Sequence, residues 1–107
     1  MIKTLIVYGV DIVFLSGKDQ LVYLSKLAVE RFNSNQSFTD DEVLGYLGAV
    51  EKVHSKAAAA AVINLAKTIH ARYNGKITFN MALVEAAHSI LKLGGMPENY
   101  GSLRSDR

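Results

Sequence analysis

Two Glu-x-x-His pairs are the residues of this chain whose spacing could do chemistry: Glu51-Lys52-Val53-His54 and Glu85-Ala86-Ala87-His88, each inside a stretch patterned as helix. On a helix, residues three apart project to the same side, so a carboxylate oxygen and an imidazole nitrogen can converge on one metal ion. Two such pairs make half the ligand set of a di-iron or di-manganese bundle, which takes a further Glu from each of two other helices. Glu30 could supply one of these. The segment from Lys56 to Tyr73 has no carboxylate, and a second subunit could complete the set. On a helical wheel His54 falls with Val43, Leu47 and Val50, with Glu51 at the edge of that apolar stripe, and His88 borders Val84 and Leu91. The metal candidates are therefore Glu51, His54, Glu85 and His88, with Fe or Mn as the ion. The plainer reading of the same residues is a partly buried histidine hydrogen-bonded to a neighbour, with no cofactor.

Other chemistry is thinly represented. His70 lies beside Ile63 and Ala66 on the wheel, has no carboxylate at ligand spacing and reads as a core-edge residue. Ser16-Gly17-Lys18 lacks the glycine spacing of a phosphate loop and the Ser or Thr after its Lys. No serine sits in a nucleophile-elbow context. Lys52, Lys56 and Lys67 would share one side of a continuous helix and could follow a phosphate backbone. That face carries no stacking aromatics, and a solvated face is the usual meaning of such a stripe.

The elements that must position these residues are mostly helical. Residues 2–15 are rich in Val, Ile, Phe and Tyr and predict two short strands, Lys3 to Tyr8 and Asp11 to Leu15, paired as a hairpin, with a buried first helix as the alternative. Ser16 and Asp19 start a helix that ends near Phe32, and 33–37 form a loop. Thr39 and Glu42 make a capping box, Phe38 and Val43 are placed as a hydrophobic staple, and Asp40, Asp41 and Glu42 complement the helix dipole. From there the helical pattern runs to Tyr73, with Asn74-Gly75 as its stop. Gly45 and Gly48 weaken its first turns. His54-Ser55 is the expected place for a kink or for a second helix capped by Ser55. The run Ala57 to Ala61 allows another helix to approach closely, with Ala58 or Ala61 as the contact. The last helix starts at Thr78, or at Asn80 with a Phe79–Val84 staple, and carries Leu83, Val84, Ala87, Ile90 and Leu91 as its apolar stripe. Gly94-Gly95 and Pro97 end it.

Composition sets the outer bounds. With 107 residues, half of them hydrophobic, the chain is expected to form one domain over 1–107: an apolar β-like segment at 1–16, a helical core at 17–95 and a polar tail at 96–107. The expected fold is mainly α, a three- to four-helix bundle with a short N-terminal β element. The absence of cysteine removes disulfides, thiolate metal sites and thiol nucleophiles together. A net charge of +2 with scattered Lys and Arg leaves no polybasic segment for nucleic acid or anionic lipid. The apolar stretch Thr4 to Ser16 is interrupted by Asp11 and too short to span a bilayer, so the chain is expected in the cytoplasm, off the membrane. The functional expectation is a non-enzymatic protein that binds another macromolecule, such as a regulator, inhibitor or immunity-type protein acting on another protein. A metal-binding bundle is the alternative and a nucleic-acid-binding module the third. An unprotected strand edge on a short apolar chain adds the expectation of a homo-oligomer.

Overall fold

The computed structural model describes residues 3–93. Strands β1 (Ile6–Val7) and β2 (Val10–Asp11) pair antiparallel, with Val7 opposite Val10 and Ile6 opposite Asp11. Tyr8 and Gly9 connect them with φ of 51° and 79°, the left-handed backbone that a two-residue hairpin turn requires. The strands are shorter than the sequence predicts. After Asp11 the chain turns into a single 3-10 turn, Ile12–Phe14, because Asp11 Oδ1 accepts from both Leu5 N (3.1 Å) and Val13 N (3.3 Å) and draws the backbone out of the ladder. Leu5, Val7 and Ile12 bury one side of this element against the helices.

Four helices follow: α1 (Gly17–Asn33), α2 (Asp40–Val53), α3 (Lys56–Arg72) and α4 (Phe79–Leu91). Each begins where a hydroxyl can satisfy a first-turn N–H. Ser16 Oγ accepts from Asp19 N, Thr39 Oγ1 from Glu42 N, Ser55 Oγ from Ala58 N and Thr78 Oγ1 from Met81 N, at 3.0–3.1 Å. The helical pattern from Thr39 to Tyr73 is thus two helices, broken at His54–Ser55. The last helix takes Thr78 rather than Asn80 as its cap. Asn80 Nδ2 instead donates to Phe38 O and Asp40 Oδ1, both at 2.9 Å, tying α4 to the start of α2. The conditional Phe79–Val84 staple does not form: Val84 is fully buried and Phe79 faces outward. Helix α4 ends at Leu91, ahead of the predicted Gly94–Gly95 stop, with Lys92 as a left-handed cap. Gly94, Gly95, Pro97 and the polar tail lie outside the described residues.

Helix α2 packs against each of the other three, and the most extensive single interface is α3 on α4. Of the alanine run only Ala58 is buried; Ala59 is half-buried and Ala57, Ala60 and Ala61 are exposed, so Ala61 is not the helix contact. The Thr39–Glu42 box has a second function that its sequence pattern does not reveal. Arg31 on α1 donates Nη1 to Glu42 Oε1 and Nη2 to Oε2, each at 2.9 Å, and Nη1 also to Ser37 O at 2.6 Å. Its guanidinium sits 5.6 Å from the Phe38 ring centroid. Glu42 therefore caps α2 and clamps it to α1 through a bidentate pair.

Candidate functional site

The four metal candidates occupy different surroundings. Glu51 and His54 are exposed at the end of α2, where His54 has φ −121° and ψ −81° and its Nδ1 lies 3.3 Å from Ser55 Oγ. Since the helix stops at Val53, the wheel that placed His54 in the apolar stripe does not extend to it. Glu85 is half-buried and His88 buried on α4. Glu30 is engaged elsewhere, its Oε1 accepting from Tyr8 Oη at 2.6 Å. Among the described residues no group of three or more His, Cys, Asp or Glu side chains is placed to hold a metal ion. Lys52 closes α2 while Lys56 and Lys67 belong to α3, so the lysine stripe is divided between two helices.

His88 lies in the core. Tyr46 Oη donates its only proton to Leu24 O at 2.7 Å, so at its 2.8 Å separation from His88 Nε2 it must act as acceptor. That assigns the imidazole proton to Nε2. The Phe32 and His88 rings pack in a T-shaped arrangement with centroids 5.9 Å apart. Burial lowers the His88 pKa from 6.5 to about 4 and pushes that of Tyr46 up, so both are neutral at pH 7. This network ties α1, α2 and α4 together at one buried point. His70 sits at the core edge, as its pattern suggests, with its ring 5.6 Å from that of Phe79.

Two concave surfaces lie on either side of Leu44. One groove, of about 360 Å³, runs where α2, α3 and α4 meet and is lined by Leu44, Leu47, Ile63 and Phe79, with Asp40 and Asn80 as its polar members. Leu44, Ile63 and Phe79 are 51%, 40% and 36% exposed, which places three large apolar side chains from three helices on one water-facing surface. The other, of about 390 Å³, is a cleft between α1, α2 and the hairpin, lined by Leu5, Ile12, Val13, Gln20, Gly48 and Lys52 together with Leu44.

The two glycines of α2 that border this cleft differ in purpose. A Cβ on Gly45 would come within 2.5 Å of Leu5 Cδ2, so the missing side chain is what lets the hairpin seat against α2. A Cβ on Gly48 would meet nothing within 4 Å. Gly48 weakens the helix by roughly 1 kcal/mol relative to Ala, and neither its φ nor its packing requires glycine. What its bareness does is leave the cleft open. From helix propensity alone both glycines read only as helix-weakening. The available signal was their three-residue spacing beside Leu44, which puts all three on one face.

Comparison with protein-family models, curated proteins and solved structures finds no match to this chain. Among the described residues no helix is long and apolar enough to cross a membrane.

Proposed function

We propose that this chain is a small non-enzymatic protein that works by binding another protein, and that the α2–α3–α4 groove receives the apolar face of an amphipathic helix. The observation that carries this reading is the gathering of exposed Leu44, Ile63 and Phe79 in one groove. Single exposed apolar residues are ordinary on any surface, whereas contiguous ones mark interaction sites. A groove walled by three helices offers spaced apolar anchors, which suits insertion of a helix carrying apolar residues at i, i+3, i+4 and i+7. Asp40, held by Asn80, adds a carboxylate to the wall and favours a partner with a Lys or Arg beside its apolar face.

The test is capture followed by reconstitution. Wild-type chain, Ile63→Asp and Phe79→Asp, each shown folded by circular dichroism, are used as bait in lysate of the source cells. A protein enriched by wild type is then purified and titrated directly. Saturable binding that both substitutions weaken at least about tenfold is expected. If the substitutions leave that affinity unchanged, the groove is not the interface. If light scattering shows a wild-type dimer that the substitutions dissociate, the occupant is a second copy of this chain instead.

A further inference from the structure

We infer that the cleft between α1, α2 and the hairpin is a binding site for a small carboxylate with an apolar, donor-bearing body. This inference does not rest on the protein-binding groove: the two surfaces have only Leu44 in common. Three features of the cleft support it independently.

The first is its shape and lining. A concavity of about 390 Å³ walled by Leu5, Ile12, Val13 and Leu44 has the size and character of a small-molecule pocket, in which apolar walls supply contact and a few polar groups supply orientation. Gly48 keeps it open at the expense of helix propensity, although a Cβ there would meet nothing.

The second is Gln20, which lines the cleft while 93% removed from solvent, its exposure being 7%. Its Nε2 donates to Ile12 O at 2.9 Å, which fixes the orientation of the amide, since a carbonyl can only accept. Among the described residues Oε1 accepts no hydrogen bond. An amide oxygen that borders an apolar cleft and has no protein donor is an acceptor available to a ligand N–H or O–H.

The third is Lys52. It lines the same cleft and makes no ion pair among the described residues. Leu44, Gly48 and Lys52 are successive positions four apart, so the ammonium is carried on the α2 face that walls the cleft. An apolar body bearing one donor for Gln20 and one anion for Lys52 satisfies all three features.

The chain contains no Trp, so the fluorescence of an indole ligand can be followed directly. Indole-3-acetate carries ring, donor and carboxylate. Naphthalene-1-acetate lacks the donor, and 3-methylindole lacks the carboxylate. Titration of each into the full chain, with methyl NMR shifts at Leu5, Ile12, Val13 and Leu44 to locate binding, is expected to rank indole-3-acetate tightest. Gly48→Leu fills the cleft without meeting a neighbouring atom at its Cβ, and should weaken binding about tenfold or more. Lys52→Met should weaken the two carboxylates about two- to fivefold and leave 3-methylindole unchanged. Gln20→Leu should weaken indole-3-acetate and spare naphthalene-1-acetate. Should that buried variant fail to fold, the naphthalene comparison on wild type carries the same information. No saturable binding at millimolar indole-3-acetate, or affinity untouched by Gly48→Leu, would overturn the assignment. Equal affinity for 3-methylindole would overturn the carboxylate. Concentration-dependent shifts of the same methyls without ligand, with a dimer mass, would give the cleft to a second copy.

Discussion

The same Glu-x-x-His spacing occupies two opposite environments in this molecule. At the end of α2, Glu51 and His54 stand in solvent beside a helix break. On α4, His88 is sealed in the core, its Nε2–H bonded to Tyr46, while Glu85 is half-buried. The local pattern is identical. What differs is whether the helix continues past the histidine: α4 runs on to Leu91 and carries His88 inward, whereas α2 stops at Val53 because Ser55 caps a new helix. Helix spacing therefore specifies which side chains are neighbours, and helix termination decides what surrounds them.

The sharpest way to break this contrast is to truncate both histidines. His88→Ala should cost about 3–4 kcal/mol, since it opens a core cavity and removes the imidazole N–H that donates to Tyr46 Oη. His54→Ala should cost under about 0.5 kcal/mol. Comparable losses in urea denaturation would mean that the two sites are not as different as their burial indicates.

Acid sharpens the contrast further. The His88 pKa falls from 6.5 to about 4 on folding, so the unfolded chain takes up the proton first. Its stabilising contribution is full above about pH 6.5 and is lost as the pH falls toward 4, amounting to roughly 3 kcal/mol at about 1.4 kcal/mol per unit. Denaturation midpoints between pH 7 and pH 4 should decline less steeply in His88→Gln than in wild type. Parallel declines would assign the acid limb to other groups.

A smaller effect is expected from the hydroxyl that holds His88. Tyr46→Phe leaves Leu24 O and His88 Nε2–H without their partner and should destabilise by about 1–3 kcal/mol, measurable by thermal unfolding. An unchanged melting temperature would show that the bond contributes little. The smallest effect concerns the break itself. Ser55→Ala removes the acceptor for Ala58 N and should cost about 1 kcal/mol, with faster amide exchange in the first turn of α3. If exchange there stays unchanged, the break at His54 is held by something other than this cap.

Much of the helical framework was legible because its signals are local. Ser16, Thr39, Ser55 and Thr78 each mark a helix start through a hydroxyl that reaches an N–H three residues on, a contact that needs no other part of the chain. The apolar stripe of α4 was legible for the same reason: Leu83, Val84 and Ala87 recur at helical spacing and are buried. Choosing between Thr78 and Asn80 was not possible locally, because Asn80 is drawn away by Phe38 O and Asp40, which are distant in sequence. The bounds of the hairpin were missed because the Asp11 side chain, rather than residue propensity, ends the ladder.

By itself, then, the sequence determined a mainly helical chain with a short N-terminal β element and the helix starts at Ser16, Thr39 and Ser55. The tertiary structure alone decided that Arg31 reaches across to Glu42, that His88 is dry and His54 wet, and that Leu44 separates a groove from a cleft. Caps and periodicity act within four residues along one helix. Burial, ion pairing and concavity depend on which faces meet, and that is set by the packing of the other three helices against α2 and of α3 on α4.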